Sequence, residues 1–300
     1  MNYGVIYPGH HVEEHRVDEL DAWTDAVVSS GFGHVVFGDH VLGVDPDLAP
    51  EGWNREWPGG DLSKAYTYRN WFREPLTVLS YLAGRTELGL ATGIVVLPQR
   101  QTALFAKQAA EVDLLSKGRL RVGVGVGWNP VEFDVLDVPF ARRGARLEEQ
   151  IALLRKWWTE PTTTFHGEFH DFTGVGVPGL PHQRPIPIWL GGSSPRALER
   201  AGRLADGCFL PPATSVGHGP EDAIPILHEH ARAAGRDPAS IGVEARLLVT
   251  PMDDDTIRAT RDRWVDAGVT HICVDSQDPS LRTMAEHIEH TERAAAALFE

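Results

Sequence analysis

The stretch LGLATGIVVLPQRQTALFAKQAAEVDLLSKGRLRVGVGV, residues 88–126, decides the fold. An apolar run at 87–95 predicts a buried strand, and the helical period of 102–116 predicts a helix. A second apolar run at 120–126 predicts another strand. Strand, helix and strand in this order form a βαβ unit, whose two strands are parallel.

The same alternation fills the chain on both sides of this unit. Eight strands are predicted, at 3–7, 34–39, 87–95, 120–126, 186–192, 206–211, 241–249 and 270–275. Eight helices are predicted, at 13–30, 74–84, 102–116, 144–158, 195–203, 220–234, 254–267 and 280–298. Eight alternating pairs predict an α/β fold, a (β/α)8 TIM barrel that occupies residues 1–300 as a single domain. An open doubly wound sheet is the structural rival, but such sheets usually stop at about five or six strands.

Three stretches interrupt the alternation. Residues 41–70 follow the second strand, residues 129–141 follow the fourth, and residues 159–185 contain TTFHGEFHDF, which predicts a small hairpin. The first two follow the carboxyl ends of strands, where barrel active sites are built. We therefore expect insertions at the C-terminal face of the strands and a covered pocket for a small organic substrate.

Composition excludes several classes of function. With 28 basic and 42 acidic residues the net charge is −14, which argues against nucleic acid as a partner. Cys208 and Cys273 lie in separate apolar runs and are expected to be buried hydrophobes. The N-terminus lacks a signal-peptide pattern, and no run reaches the roughly 18 apolar residues of a membrane helix. These features predict a soluble cytoplasmic protein.

A metal centre is not expected. Barrel hydrolases use an H-x-H pair after the first strand and further ligands at later strand ends. Here His10 and His11 are adjacent, Asp275 lies on the eighth strand, and the stretch HGEFH at 166–170 falls in the predicted hairpin.

The glycine ladder Gly123, Gly125 and Gly127 does not fit a dinucleotide-binding turn. Its spacing is G-x-G-x-G, it lies partly within the strand, and WNPVEF follows in place of an immediate helix. Two interpretations stay open: a bare sheet face that a flat ligand approaches, or small residues placed opposite large ones inside the barrel.

Two further motifs suggest chemistry. Asp39 and His40 end the second strand, where a histidine can act as a general acid or base. Gly191, Gly192 and Ser193 form a turn before Ser194, a favourable N-cap, and Pro195, a favourable first helical residue. Such a turn can hold a phosphate at the helix N-terminus, although both motifs also occur as ordinary structural features.

The chain resembles the luciferase-like monooxygenase superfamily, in particular its F420-dependent oxidoreductase branch. The motifs that carry the resemblance are SGFGHVVFGDHVL, LGLATGIVVLPQRQTALFAKQAAEVDLLSKGRLRVGVGVGWNPVEFDVLDVPFARRGARLEEQIALLRKWW and PIPIWLGGSSPRALERAGRLADG. It implies a non-prolyl cis peptide between Gly93 and Ile94 behind the ring of the cofactor. It also implies a homodimer.

The resemblance assigns roles to individual residues. Asp39 would contact the cofactor, and His40 would donate or accept the proton. Gly127 and Trp128 would border the ring. The cofactor phosphate would be held by Gly191, Gly192 and Ser193.

Two positions depart from relatives within the superfamily. Val126 stands where bacterial luciferase has an arginine for the flavin phosphate, which argues against a luciferase-type flavin site. Trp128 stands where an F420-dependent sugar-phosphate dehydrogenase has a glutamate that acts on substrate. Either an apolar or aromatic substrate pocket or packing of the insertion would explain the aromatic residues Trp53, Trp57, Tyr66, Tyr68, Trp71 and Trp128.

These observations predict an enzyme that transfers a hydride between coenzyme F420 and an organic substrate. The alternatives are a reduced-FMN-dependent monooxygenase of the same fold and a non-catalytic flavin-binding protein.

Overall fold

The strands follow the predicted pattern. The computed structural model of the chain describes residues 1–12, 16–45, 47–48, 66–212 and 219–300. Within these residues the strands are β1 (Asn2–Ile6), β2 (His34–Phe37), β3 (Gly89–Thr92), β4 (Val95–Val96), β5 (Leu120–Gly125), β6 (Thr163–His166), β7 (Asp171–Val175), β8 (Ile188–Gly191), β9 (Gly207–Leu210), β10 (Gly242–Leu248) and β11 (His271–Asp275).

Nine strands form one sheet in the order β3-β2-β1-β11-β10-β9-β8-β5-β4, and β3 pairs in addition with β5. The registers are parallel, as in the pairs Tyr3 with Ile272 and Leu90 with Leu120. The predicted strand 87–95 is split into β3 and β4, which share the neighbour β5 and so occupy one position of the barrel. This is the order of a closed eight-stranded parallel barrel with flanking helices, and the predicted (β/α)8 TIM barrel is confirmed.

Helices connect the strands as predicted. In the described part of the chain they are α1 (Val17–Ser29), α2 (Pro75–Arg85), α3 (Thr102–Leu115), α4 (Pro130–Val135), α5 (Arg143–Trp157), α6 (Pro195–Leu204), α7 (Pro220–Ala233), α8 (Asp254–Ala267) and α9 (Met284–Phe299). Residues 13–15 of the predicted first helix lie outside the described residues.

The helix α4 corrects one expectation, because the stretch after the fourth strand was expected to lack an immediate helix. Asn129 caps the helix by accepting a hydrogen bond from the Val131 amide at 3.0 Å, and Pro130 occupies the first helical position. Asparagine followed by proline is a favourable helix start. The helix is six residues long and ends at Val135.

The predicted hairpin within 159–185 is present. β6 and β7 pair in antiparallel register, with Phe165 opposite Phe172. The ring of Phe172 stacks on Trp157 of α5 at 5.4 Å between centroids. The histidines of HGEFH belong to this hairpin, where His166 bonds to Asp171 and His170 bonds to Glu149.

The chain forms two compact units, residues 1–38 with 190–300 and residues 39–189. In the first unit Tyr7 stacks on Phe37 at 4.9 Å and meets Trp23 edge-on, and these aromatic rings form part of its core. Cys208 and Cys273 are buried thiols in the same unit, as expected. The expectation of a single domain over 1–300 stays a prediction.

In the second unit the βαβ unit of residues 88–126 packs against α5. Leu147, Ile151 and Leu154 of that helix are buried. The Trp158 indole donates a hydrogen bond to the carbonyl of Ala106 at 3.0 Å, which ties the end of α5 to α3. The Asp39–His40 pair and the glycine ladder both belong to this second unit.

Candidate active site

His40 lies just beyond the carboxyl end of β2, as the sequence predicts, and its side chain is 14% exposed. Its Nδ1 is 2.9 Å from Oε1 of Glu132. The hydrogen-bond partner is therefore 92 positions along the chain, on α4. Its Nε2 has no hydrogen-bond partner among the described residues.

Glu132 is the site residue that the sequence analysis missed. It is 1% exposed, and its Oε2 accepts a hydrogen bond from Gln99 Nε2 at 3.0 Å. A signal was present, because Asn129, Pro130 and Glu132 occupy the N-cap, N1 and N3 positions of a favourable helix start. That signal could have predicted α4, but it does not indicate a contact with His40.

Aromatic rings surround the imidazole of His40. Tyr66 stacks on it with 4.5 Å between centroids, Phe72 lies at 4.8 Å, and Trp128 meets it edge-on at 5.9 Å. Tyr66 and Trp128 are themselves 5.9 Å apart. His40 thus combines a polar contact at one nitrogen with an apolar surface around its ring.

The other aromatic residues of the predicted pocket divide into two groups. Tyr68 and Trp71 are exposed at the surface, each with an arginine over its ring. Trp53 and Trp57 lie outside the described residues. Phe72, which the sequence analysis did not single out, joins the group at His40.

Asp39 is buried in an ion pair. Both of its carboxylate oxygens accept from Arg100 Nη2 at 3.0 Å, and the Val96 amide donates to Oδ2 at 3.4 Å. Arg100 Nη1 also donates to Glu74 at 2.9 Å. The carboxylate of Asp39 is therefore held by Arg100 and by the backbone of β4, and its predicted contact with a cofactor stays a prediction.

Burial and the ion pair both shift the pKa values of Asp39 and Arg100. It raises the pKa of the Asp39 carboxyl, and the charge of Arg100 offsets only part of this effect. Burial also lowers the pKa of Arg100, but the charges and hydrogen bonds of Asp39 and Glu74 raise it by more. A carboxylate in such a position depends on its arginine partner.

The glycine ladder faces side chains of the neighbouring strand. A Cβ added at Gly125 would lie 2.7 Å from Cδ1 of Ile94. Gly127 has a φ of +74°, and a Cβ there would lie 2.5 Å from Cγ1 of Val96. Small residues placed opposite large ones thus explain these two glycines, and this favours the second of the two interpretations left open by the sequence.

The peptide bond between Gly93 and Ile94 is cis, as the resemblance implies. It separates β3 from β4. Beside it, the buried Thr92 hydroxyl donates to the Gly123 carbonyl at 2.7 Å and accepts from the Gly123 amide at 2.9 Å. The residues around the cis peptide therefore contact the glycine ladder through Thr92 as well as through Ile94.

The turn at 191–193 belongs to the first unit. Ser194 caps α6 by accepting from the Ala197 amide at 3.3 Å, and Pro195 is the first helical residue, as predicted. Gly192 has a φ of +127°, and its amide donates to the Phe209 carbonyl at 3.0 Å. That amide is thus engaged within the protein, whereas the side chain of Ser193 is buried at the turn.

Among the described residues, no group of three or more His, Cys, Asp or Glu side chains is arranged to hold a metal ion. In the same residues no helix combines the length and apolar character needed to cross a membrane.

Comparison with known proteins gives a family match over nearly the whole chain. A family model described as luciferase-like monooxygenase matches residues 1–299. An uncharacterised protein of Mycobacterium tuberculosis is 34% identical over 186 residues, which cover 62% of this chain and 61% of that protein. The match thus spans less than two thirds of the relative.

Two relatives have named activities. An FMNH2-dependent dimethylsulfone monooxygenase of Pseudomonas putida is 35% identical, over 61% of this chain and 50% of its own length. An F420-dependent glucose-6-phosphate dehydrogenase of Kineococcus radiotolerans is 28% identical, over 61% of this chain and 55% of its own length. The two relatives use different cofactors.

Solved structures share the fold. The monooxygenase RslO1 of Streptomyces bottropensis has a TM-score of 0.76 at 20% identity, covering 100% of this chain and 99% of that one. An F420-dependent secondary alcohol dehydrogenase has a TM-score of 0.73 at 17% identity, covering 99% of this chain and 98% of that one. At these identities the likeness concerns the fold alone.

Proposed function

Because the chain belongs to the luciferase-like monooxygenase family, we propose that it is an oxidoreductase that transfers a hydride between coenzyme F420 and a small organic substrate. The observation that carries the proposal is His40, whose Nδ1 is bound to Glu132 and whose Nε2 has no partner among the described residues. A nitrogen in this condition can exchange a proton with a substrate.

The residues around His40 fit the ring of a deazaflavin or flavin. Tyr66, Phe72 and Trp128 supply apolar surface around the imidazole, and planar rings bind well against such surface. The bound cofactor would supply or accept the hydride, and the protein would orient the substrate and move the proton. His40 Nε2 is the proposed proton donor or acceptor.

The remaining site residues are proposed from the resemblance. Asp39, Gly93, Ile94, Gly127 and Trp128 would surround the ring, and Gly191, Gly192 and Ser193 would hold the phosphate. The Gly192 amide already donates to Phe209, so we assign the phosphate contact to the start of α6 rather than to that amide. The surroundings of His40 favour an apolar or aromatic substrate.

Cofactor titration tests the proposal. Purified protein is mixed with F420 or FMN, and binding is followed by fluorescence quenching and by the shift in Tm. We expect saturable binding of F420 and a higher Tm with F420 than without it. Tight binding of FMN with none of F420 would overturn the choice of cofactor.

A second candidate is a reduced-FMN-dependent monooxygenase of the same fold. It is favoured by the dimethylsulfone monooxygenase, whose 35% identity exceeds the 28% of the F420-dependent dehydrogenase. Oxygen consumption in the presence of reduced FMN and candidate substrates would support it. Cofactor binding without turnover on any substrate would favour a non-catalytic flavin-binding protein.

The homodimer implied by the resemblance and the cytoplasmic location expected from the N-terminus stay proposals. Light scattering coupled to size-exclusion chromatography checks the first.

A further inference from the structure

The buried carboxylate of Glu132 contacts His40, the histidine proposed to exchange a proton with the substrate. It is 1% exposed, and each of its oxygens has one side-chain partner: His40 Nδ1 at 2.9 Å from Oε1 and Gln99 Nε2 at 3.0 Å from Oε2. Gln99 is itself buried. A carboxylate removed from water in this way requires donors on both oxygens.

The chemistry of this contact decides where the hydrogen of His40 lies. An ionised carboxylate only accepts hydrogen bonds, so the hydrogen between Glu132 and His40 belongs to Nδ1. Neutral His40 then has a bare Nε2 that accepts a proton, and protonated His40 has an Nε2–H that donates one.

We infer that Glu132, supported by Gln99, is a positioning residue that fixes His40 in its Nδ1–H tautomer and makes Nε2 the nitrogen that exchanges the substrate proton. The inference rests on the proposed function for the identity of that proton. Glu132 itself neither gains nor loses a proton in the reaction.

The aromatic rings complete the positioning. Tyr66 stacks on the imidazole with an interplanar angle of 30°, and Phe72 lies against it with an angle of 58°. These contacts limit tilting of the ring, and the bond to Glu132 limits its rotation about χ2. Together they hold Nε2 in one direction, as a partner carboxylate does for the histidine of other catalytic sites.

The tautomer can be measured without any cofactor. Protein labelled with 15N-histidine is studied by long-range 1H–15N correlation NMR above the pH at which its histidines are protonated, and the His40 signals are assigned by their loss in His40→Gln. We expect the Nδ1–H tautomer in the wild type and a shift toward the Nε2–H tautomer in Glu132→Ala. A wild-type Nε2–H tautomer, or no shift in Glu132→Ala, would overturn the inference.

Two further variants separate positioning from general loss of structure. In Glu132→Gln the amide oxygen can still accept from Nδ1, and the buried Gln99 Oε1, which has no partner within the described part of the chain, can accept from the new amide. This variant should keep the Nδ1–H tautomer. Glu244→Ala is the matched control, because Glu244 is a fully buried carboxylate 3.2 Å from another histidine, His34. It should leave the His40 signals unchanged.

The second readout is the steady-state kcat and KM, measured with whichever cofactor supports turnover. Loss of a partner that orients a metal-bound histidine typically costs about 10- to 100-fold in metal affinity or activity, and we expect a loss of the same order at His40. Glu132→Ala should therefore lower kcat by about that factor with little change in KM. In a His40→Ala background it should cause no further loss, because it acts through His40. An equal loss in both backgrounds would contradict the inference.

The two proposals can fail separately. If neither F420 nor FMN supports turnover, the proposed function fails, while the NMR measurement still decides whether Glu132 fixes the tautomer of His40. If turnover is found but the tautomer is independent of Glu132, only the present inference fails.

Discussion

His40 is the residue whose replacement tests the proposed chemistry most directly. General acid–base catalysis typically contributes about 10²- to 10⁴-fold to a rate. We expect His40→Ala to lower kcat by a factor in that range, with cofactor affinity little changed. Steady-state kinetics and cofactor titration on the same sample measure both.

The control for this variant is His166→Ala. That histidine is exposed on the β6–β7 hairpin, where it contacts Asp171. The control should keep wild-type kcat and Tm. Unchanged turnover in His40→Ala would remove His40 from the proposed role.

Glu74 is expected to stabilise the fold in a pH-dependent way. It caps α2 by accepting from the Thr77 amide at 2.7 Å. Burial raises its pKa, but hydrogen bonds from Thr77 and Arg100 lower it by more, so the net shift is downward from 4.5. An acid with a lowered pKa stabilises the fold above its unfolded pKa and loses that contribution as the pH falls through its folded pKa.

We therefore expect Glu74→Gln to have a lower Tm than the wild type at neutral pH, and the difference to shrink as the pH falls below 4.5. Thermal unfolding across this pH range measures it. Glu292→Gln, which replaces an exposed glutamate on α9, should show no such trend. A Tm difference for Glu74→Gln that is constant with pH would contradict the assignment.

At the scale of elements, two helical glycines look alike in the sequence but differ in the structure. Gly84 on α2 has nothing within 4 Å of where a Cβ would stand. A Cβ at Gly202 on α6 would lie 2.6 Å from the Leu227 carbonyl oxygen of α7. The close approach of α6 and α7 therefore requires the second glycine.

Alanine at these two positions should have opposite effects. Gly84→Ala should stabilise the protein by about 0.5–1 kcal/mol, because alanine loses less backbone entropy in a helix. Gly202→Ala should destabilise it by about 1–3 kcal/mol, because the added methyl group overpacks a helix contact. Denaturant unfolding of both variants measures the pair, and the same sign for both would contradict this account.

The elements themselves were largely predictable. Apolar runs and helical periodicity are local properties, so they located the barrel strands and the helices between them. The cis peptide at Gly93–Ile94 was implied by the resemblance rather than by periodicity, and the split of the strand 87–95 there emerged only in the structure. The helix α4 was missed because it is only six residues long, which is too short for a helical period of apolar residues to be detected.

Unfolding of the whole molecule can be followed by the reactivity of its two buried cysteines. Burial raises the pKa of the Cys208 thiol to about 12, and Cys273 is also buried. Only thiolates react readily with disulfide reagents. We expect no thiol to react in the native protein at about pH 8 and both of its cysteines to react in denaturant.

A thiol titration with an aromatic disulfide reagent checks this. Any slow reaction of the thiols under native conditions should have a rate that is set by the rate or the equilibrium of unfolding. Reaction of either cysteine at the rate of a small free thiol would show that the unit containing 1–38 and 190–300 exposes it without unfolding.

Local sequence patterns were enough to predict the fold class and the position of His40, because strand and helix periods and the ends of strands are read from neighbouring residues. Only the tertiary structure decided what these residues contact. It paired His40 with Glu132 across 92 positions and Asp39 with Arg100 across 61, and it set Ile94 against Gly125. Such contacts depend on how separate strands and helices pack, and no local pattern specifies the partner of a buried polar group.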